Sequence, residues 1–380
     1  MTPSLPDIEV VAGAGVADRL PEFVERSGAR RVLVVASAAG LRRTAAADRL
    51  ACARVETFTG FRPNPDLSDL REGALVRARF RPDLVIGVGG GSAMDAAKAV
   101  VVLPPGGDGP APEEMTPADY EQGRGGCGLV LVPTTAGSGA EVTRFASVYV
   151  NGRKQSLDHD RVRADLALVD PYLTATCPRA TVISGAWDTL AHALESLWSV
   201  RSSAHSRCLA AAAAAGVVAL LREPGLLREC RGREEMSRLA TMAGLAIDLT
   251  RTTIAHAFAY PLTARFGIPH GVACALNLVW VFTAAGECYR ERCTDPRGAD
   301  FVAERLRQVA TIVGAASPRD IGAALADLMR VGGLDDRMGA HGVQAADLRH
   351  IIVDGSSHER AGNSPVALAD GALEALLARL

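Results

Sequence analysis

Short apolar runs in the first half of the chain alternate with segments of helical pattern. These runs occupy residues 30–37, 81–92 and 128–135, and the second and third end in glycine-rich or polar turns. Apolar strands separated by helices are typical of a mostly parallel sheet with helices on both faces. The pattern therefore predicts an α/β fold for the first half.

From about residue 179 the pattern changes to long stretches rich in alanine and leucine, and few strand signals remain. This composition predicts an all-α second half. We place the boundary near Cys177–Pro178, which gives an α/β domain over residues 1–178 and a helical domain over residues 179–380. With 380 residues, of which 48% are hydrophobic, the chain can fill two cores.

Two polar, glycine-rich loops follow predicted strands. The first loop contains Gly89, Gly90, Gly91 and Ser92, and the second contains Thr134, Thr135 and Ser138. Consecutive glycines let a backbone approach a phosphate closely, and the helix that follows the first loop offers N–H groups and a favourable dipole. Because both loops end strands of one sheet, they favour dinucleotide binding at its carboxyl edge.

Four residues of the second half form a candidate set of metal ligands. Asp188 and His192 are spaced i, i+4, which puts both side chains on one helix face. His256 lies in a second helical stretch, and His270 follows a proline-containing turn. One carboxylate and three imidazoles suit Fe(II) or Zn(II) better than Mg(II) or Ca(II). The set fits a closed structural site or a larger coordination sphere that admits a substrate oxygen.

Charge and cysteine content narrow the class of protein. The formal net charge of -2 argues against a nucleic-acid or membrane-surface partner. No continuous apolar run reaches about 18 residues and no signal-peptide pattern opens the sequence, so we expect no membrane partner and a cytoplasmic location. The eight cysteines include no CxxC pair and are expected to stay reduced, with Cys274 packed in the core. The chain has only two lysines, Lys98 and Lys154.

These motifs resemble those of the iron-containing (group III) alcohol dehydrogenases, whose hallmarks include GGGSxxDxxK, PTTxGTGSE and an Asp-x3-His…His…PHG set. Nearly the whole chain follows that order, and the segments GFRPNPD (60–66) and GNSP (362–365) also match. The resemblance implies the dehydroquinate synthase-like fold, NADPH or NADH as cofactor, and one divalent metal, Fe(II) or alternatively Zn(II). It implies Asp188, His192, His256 and His270 as metal ligands. The implied cofactor-binding residues are Ser37, Asn64, Gly89, Gly90, Gly91, Ser92, Asp95, Lys98, Thr134, Thr135, Ser138 and Lys154.

The chain departs from the family pattern at two informative positions. Many members have a second histidine four residues after the third ligand, where this chain has Tyr260, so the product is protonated by solvent or through Tyr260 instead of through a histidine relay. Many also have an acidic residue at the end of the first strand, where this chain has Ser37. Without that carboxylate, and with Arg42 and Arg43 nearby, a 2′-phosphate is tolerated. We predict that NADPH is accepted at least as well as NADH.

Within the family, the segment 250–276 is similar to the phosphonoacetaldehyde reductases. That resemblance implies reduction of phosphonoacetaldehyde to 2-hydroxyethylphosphonate in phosphonate biosynthesis. Arginine planes match phosphonate oxygens, and the candidates are Arg251, Arg265 and Arg360, with Arg144 a weaker one. We expect a homodimer, the commonest state of soluble enzymes.

Three alternatives remain open from the sequence. A dehydrogenase of the same family could act on uncharged short-chain aldehydes. A lyase of the dehydroquinate synthase type would use NAD and a metal but recycle its cofactor. A non-catalytic nucleotide-binding protein would lack a functional metal set.

Overall fold

The computed structural model describes residues 8–44, 46–50, 52–106, 109–356, 360–368 and 372–380. The chain divides into two compact units, Met1–Cys177 and Pro178–Leu380. We refer to them as the first and the second unit, and each is described by itself.

Within these described ranges, six parallel strands form the central sheet of the first unit, in the order β1-β8-β5-β4-β2-β3, and two more pair as an antiparallel ribbon, β6-β7. The strands are β1 Glu9–Ala12, β2 Arg31–Ala36, β3 Arg54–Phe58, β4 Leu84–Gly89, β5 Gly128–Pro133, β6 Phe145–Val150, β7 Arg153–Asp158 and β8 Leu166–Val169. The strand order reverses between β2 and β4, and the crevice beyond their carboxyl ends is where ligands bind in sheets of this kind.

The central strands are buried on both faces. Leu33 and Val35 of β2 pack into one core, and Val32 and Val34 pack into another on the opposite side of the sheet, as the alternation of side chains along a strand requires. The helices of the first unit are α1 Leu20–Ser27, α2 Ala38–Thr44, α3 Ala46–Arg49, α4 Leu67–Phe80, α5 Gly91–Val102 and α6 Pro117–Arg124. The α/β fold class predicted for the first half is confirmed.

The second unit is helical wherever the structure assigns regular elements in its described residues. Its helices are α7 Arg179–Trp198, α8 Ala204–Arg222, α9 Cys230–Thr250, α10 Ile254–Phe266, α11 His270–Cys288, α12 Ala299–Val313, α13 Ile321–Val331, α14 Leu348–Ser356 and α15 Ala372–Leu377. Trp187 and Trp198 of α7 and Trp280 of α11 are fully buried and mark the centre of this unit. The all-α prediction for the second half is therefore confirmed.

Two helices in the described part of the chain are long and apolar enough to pass a length-and-composition test for membrane spans, α8 and α11. The apolar window of α11 is 78% buried inside the protein, as in the core helix of a water-soluble fold, and α11 begins with the candidate ligand His270. Two such helices are weak evidence for a membrane span.

Candidate metal centre and cofactor loops

The four predicted metal ligands converge on one point in the second unit. Asp188 and His192 lie one turn apart on α7, His256 lies in the first turn of α10, and His270 is the first residue of α11. The Nε2 atoms of His256, His192 and His270 lie 3.4, 3.7 and 3.8 Å from Asp188 Oδ1. Neighbouring ligands around one ion with bonds of about 2.1 Å are separated by about 3.0 to 3.4 Å. The three distances to Asp188 Oδ1 are therefore close to those around a shared ion, but the group of mutually close donor atoms comprises Asp188, His256, His270 and Cys274 and does not include His192.

Burial and hydrogen bonding at this cluster fit a cation. Asp188 and His256 are 8% and 2% exposed, and among the described residues neither Asp188 Oδ1 nor His256 Nε2 has a hydrogen-bond partner of good geometry. Unsatisfied buried polar atoms are costly, and an ion between them would satisfy both. Burial alone would raise the pKa of Asp188, but His192, His256 and His270 lower it below its usual range. The three imidazoles therefore favour the ionised form of Asp188, which is the form that binds a cation.

Glu195 holds His256 from the side opposite the cluster. Its fully buried carboxylate contacts His256 Nδ1 through one oxygen, and the other accepts hydrogen bonds from Thr253 Oγ1 at 2.5 Å and from the Ala255 N–H at 2.8 Å. Despite its burial, the pKa of Glu195 is lowered by His256 and Thr253. A carboxylate on Nδ1 fixes the histidine tautomer that presents Nε2 as a metal ligand.

Cys274 also belongs to this cluster. It is buried, as expected, but its Sγ lies within 4.8 Å of ligand atoms of Asp188, His256 and His270, and 3.8 Å from His270 Nε2. Burial raises the pKa of the Cys274 thiol to about 11, although His256 opposes that shift. The sequence predicts only core packing for Cys274, and Glu195 is not among the predicted site residues.

His270 and Tyr260 form the more accessible side of the cluster. The side chain of His270 is 33% exposed, whereas those of His192 and His256 are 7% and 2% exposed. The ring of Tyr260 stacks on that of His270 with centroids 5.8 Å apart, while His192 stacks on His256 at 4.6 Å. The accessible side is therefore the one from which a small molecule can reach the ligands, and Tyr260 lies there.

In the first unit, most predicted cofactor residues meet at the carboxyl ends of β2, β4 and β5. The Thr134 N–H donates to the Gly89 carbonyl at 2.8 Å, and Ser92 Oγ accepts from the Asn64 N–H at 3.1 Å. A side chain cannot be added at Gly89, whose φ is 151° and whose Cβ would lie 2.6 Å from Ala93 Cβ.

The two loops also pack closely against each other. A Cβ at Gly90 would lie 3.2 Å from Thr135 Oγ1, and one at Gly91 would lie 3.1 Å from Ser138 Oγ. Gly90 caps α5, so the N-terminus of that helix opens between the loops. This arrangement suits a phosphate group.

Ser37 and Arg43 border these loops. Ser37 Oγ accepts from the Gly40 N–H at 3.0 Å, in the first turn of α2, and lies beside Gly89. Arg43 Nη1 lies 3.5 Å from Thr134 Oγ1. The Arg43 guanidinium therefore lies beside the second candidate loop, whereas Arg42 is exposed to solvent.

Both lysines interact electrostatically with Asp95, which lies on α5 after the first loop. The Lys98 ammonium is fully buried and donates to Thr143 Oγ1 and to the Phe145 carbonyl, each at 2.9 Å. Burial raises the pKa of Asp95, while Lys98, Ser147 and Lys154 act in the opposite direction. Lys98 thus ties α5 to the start of β6, and a contact of these residues with a cofactor stays a prediction.

The arginines predicted to bind substrate differ in their surroundings. Arg251 is buried, donates from Nη1 to the Asp248 carbonyl at 2.9 Å, and has a positive φ of 62° with an extended ψ of 169°. Arg360 is also buried. Arg265 is exposed and paired with Asp354 at 2.8 Å, and Arg144, in the first unit, pairs with Asp158 and Asp160. The structure therefore places only Arg251 and Arg360 among these candidates in a buried environment.

The family models cover almost the entire chain. The model of the iron-containing alcohol dehydrogenases matches residues 7–171, and that of the C-terminal part of the Fe-containing alcohol dehydrogenase family matches residues 182–380. The chain belongs to the iron-containing alcohol dehydrogenase family. Membership confirms the enzyme class and cofactor class predicted from the sequence, an oxidoreductase that uses NAD(P)H and a divalent metal.

The individual relatives are 25% to 34% identical to this chain. The chain is 34% identical over 255 residues to phosphonoacetaldehyde reductase of Streptomyces viridochromogenes, a match that spans 63% of this chain and 62%, less than two thirds, of the relative. It is 32% identical over 297 residues to long-chain-alcohol dehydrogenase 1 of Geobacillus thermodenitrificans, which covers 74% of this chain and 73% of the relative. The structure of sulfoacetaldehyde reductase from Bifidobacterium kashiwanohense in complex with NAD+ superposes with a TM-score of 0.81, at 25% identity, over 99% of this chain and 97% of that chain.

Proposed function

We propose that this protein reduces an aldehyde to an alcohol with NAD(P)H at a divalent metal held by Asp188, His192, His256 and His270. The observation that carries the proposal is the convergence of three imidazole Nε2 atoms within 3.4 to 3.8 Å of one buried carboxylate oxygen. The same chain carries two phosphate-binding loops in its first unit, as an enzyme that uses a dinucleotide needs.

When bound, the metal supplies a Lewis acid that polarises a carbonyl group, and the dihydronicotinamide supplies the hydride. Glu195 keeps His256 in the tautomer with Nε2 directed at the cluster. Burial of Asp188 and His256 keeps water away from the ligands on that side. Tyr260, stacked on His270, donates the proton that converts the product alkoxide into an alcohol.

We further propose phosphonoacetaldehyde as the substrate and 2-hydroxyethylphosphonate as the product. Two relatives are named for reduction of phosphonoacetaldehyde and sulfoacetaldehyde, and both names describe an acetaldehyde that carries an oxyanion group. A buried guanidinium is well suited to an oxyanion. Arg251, which lies five residues before His256, is our first choice for this contact, and Arg360 is the second.

A second candidate function is the reduction of uncharged aldehydes. The relatives named long-chain-alcohol dehydrogenase 1 and 1-propanol dehydrogenase PduQ, at 32% and 33% identity, favour it. Under this alternative, Arg251 would only stabilise the conformation of its loop, because an uncharged substrate has no oxyanion to bind.

We propose NADPH as a cofactor at least as good as NADH. Ser37 replaces a carboxylate that would repel a 2′-phosphate, and Arg43 beside Thr134 supplies positive charge nearby. We also propose that the protein acts in phosphonate biosynthesis, that it is located in the cytoplasm and that it forms a homodimer.

The test is anaerobic NADPH oxidation by the Fe(II)-loaded protein with phosphonoacetaldehyde, acetaldehyde and propanal. We expect kcat/KM for phosphonoacetaldehyde to exceed the others by about a hundredfold, which corresponds to about 2.7 kcal/mol. Equal or faster turnover of the uncharged aldehydes would overturn the phosphonate assignment and leave the reductase activity standing. Recycling of the cofactor without net oxidation would instead point to a lyase.

Variants locate the oxyanion contact. Arg251→Ala should reduce kcat/KM for phosphonoacetaldehyde but not for propanal. Arg265→Ala is the matched control, because Arg265 is exposed and already paired with Asp354. An equal loss of kcat/KM for both aldehydes in Arg251→Ala would show that Arg251 does not bind the phosphonate group.

A further inference from the structure

Cys274 is a buried sulfur donor within the group of atoms that could hold the metal. Its Sγ and one ligand atom from each of Asp188, His256 and His270 all lie within 4.8 Å of one another. Cys274 lies one helical turn after His270 on α11, so both side chains emerge on the same face of that helix. Cys274 is fully buried, and its sulfur lies 3.8 Å from His270 Nε2.

We propose that Cys274 is a fifth protein ligand, so that the metal binds one carboxylate, three imidazoles and one thiolate. This inference rests on the metal site of the proposed function and adds a donor to it. At a five-coordinate metal with bonds of about 2.05 Å to nitrogen and about 2.3 Å to sulfur, angles of about 90° to 120° would set these two atoms about 3.1 to 3.8 Å apart. The observed 3.8 Å requires only a small adjustment.

Independent observations show that the space beside Cys274 suits a cation. Asp188 Oδ1 and His256 Nε2 are both buried and, within the described residues, neither makes a hydrogen bond of good geometry. Asp188 and His256 belong to the same group of closely spaced donor residues as Cys274. An ion that satisfies these two atoms therefore lies within reach of the sulfur.

Coordination by Cys274 forms one metal–sulfur bond, breaks the S–H bond and releases the proton to solvent, without electron transfer. Thiolate is a softer ligand than imidazole or carboxylate, so it favours Zn(II) relative to Fe(II) in this site. A thiolate next to the metal is also a group that can be oxidised.

Cobalt(II) spectroscopy of the full-length protein tests the proposal without relying on activity. Co(II) added to metal-free protein should give visible d–d bands and, in addition, a near-ultraviolet thiolate-to-cobalt charge-transfer band. Cys274→Ala should lose the charge-transfer band and keep the d–d bands. Cys288→Ala is the matched control, since Cys288 ends the same helix and is outside the group of metal-binding atoms.

The outcomes separate this inference from the proposed function. A charge-transfer band that is absent from the unmodified protein, persists in Cys274→Ala, or disappears in Cys288→Ala would overturn the role of Cys274 and leave the metal site intact. Absence of d–d bands in the unmodified protein would overturn the metal site itself. X-ray absorption of the unmodified Zn(II) form provides a measurement that needs no variant. A sulfur scatterer at about 2.3 Å supports the proposal, and a shell of nitrogen and oxygen alone contradicts it.

Discussion

Glu195 is not one of the proposed metal ligands, but it orients one of them, His256. Its carboxylate contacts His256 Nδ1 and also accepts hydrogen bonds from Thr253 and from the Ala255 N–H. This network holds the ring of His256 in place and favours the tautomer that carries its proton on Nδ1. Partners of this kind typically contribute a factor of 10 to 100 in metal affinity.

Glu195→Gln tests that role. The amide is nearly isosteric but lacks the negative charge, so we expect metal affinity to fall by about 10- to 100-fold. Competition with a chelator measures it. Glu287→Gln, at an exposed position on α11, is the control. Unchanged metal affinity in Glu195→Gln would contradict a positioning role for Glu195.

Arg251 is held in a backbone conformation that glycine adopts more easily than arginine does. Its φ of 62° and ψ of 169° are maintained by Asn363, whose Nδ2 donates to the carbonyls of Thr250 and Thr252 on either side, at 2.8 and 2.9 Å. Strain of this kind costs about 1 to 3 kcal/mol and often occurs at functional sites. Here it places a guanidinium directly before the helix that carries His256.

Comparison of Arg251→Gly with Arg251→Ala separates strain from side-chain contacts. Both variants lose the guanidinium, but only glycine relieves the backbone strain. We expect Arg251→Gly to be more stable than Arg251→Ala by about 1 kcal/mol in chemical denaturation. Equal stability, or a more stable alanine variant, would show that the loop is not strained at this residue.

In the proposed cofactor site, Ser37 stands where a carboxylate would put a negative charge beside the adenosine ribose. Ser37→Asp would place a carboxylate near the 2′-phosphate of NADPH, and like charges in such contacts cost several kcal/mol. We therefore expect the ratio of kcat/KM for NADPH to that for NADH to fall by about tenfold or more. Steady-state kinetics with both cofactors measure this ratio. An unchanged ratio would exclude Ser37 as a selectivity residue.

At the scale of helices, the close contact between α7 and α11 brings His270 to Asp188. The Gly271 N–H donates to Ser184 Oγ at 3.2 Å, and a Cβ at Gly271 would overlap the Ser184 carbonyl oxygen. This overlap is with backbone, so a side-chain movement cannot relieve it. Glycine at this position therefore allows the two helices to approach closely enough to share a metal.

Gly271→Ala should separate the two helices. We expect a loss of about 1 to 3 kcal/mol in the free energy of unfolding, as for other overpacked sites, together with weaker metal binding. Gly225→Ala is the control, because a Cβ there meets no atom within 4 Å and its φ of -61° suits alanine. A fully stable Gly271→Ala variant with normal metal affinity would contradict the close-contact argument.

The sequence predicts those features that depend on local spacing. Helical periodicity was enough to put Asp188 and His192 on one face, and continuous apolar runs predicted β2, β4 and β5. The same spacing rule could have indicated Glu195, three residues after His192, and Cys274, four after His270. Their roles went unnoticed because packing between α7, α10 and α11 decides which buried polar groups meet.

Other parts of the fold could not be predicted locally. The β6-β7 ribbon lacks a long apolar run, and β1 and β8 each contain only four residues. The strand order depends on pairings between distant segments, such as β1 with β8, for which the sequence contains no local signal. The surroundings of Arg265 were also unpredictable, because its partner Asp354 is 89 residues away.

At the scale of the whole chain, the two kinds of candidate site belong to different units. The candidate phosphate-binding loops lie at the sheet edge of the first unit, and the candidate metal ligands lie on α7, α10 and α11 of the second. Because each site is built from residues of its own unit, removal of a metal ligand should affect the two sites unequally. A ligand that binds only the folded state at a hundred times its Kd stabilises that state by about 2.7 kcal/mol.

The variant His270→Ala tests whether the two candidate sites are independent. We expect the variant to lose its metal and its turnover while it retains nearly normal affinity for NADPH, measured by fluorescence titration. Hydrogen exchange should accelerate in α7, α10 and α11 and stay unchanged in β2, β4 and β5, since metal binding stabilises only the second unit. His350→Ala is the control, because His350 is exposed on α14. An active His270→Ala variant with a full complement of metal would contradict the ligand assignment. Lost NADPH affinity together with faster exchange in the first unit would instead show that the two units depend on each other for stability.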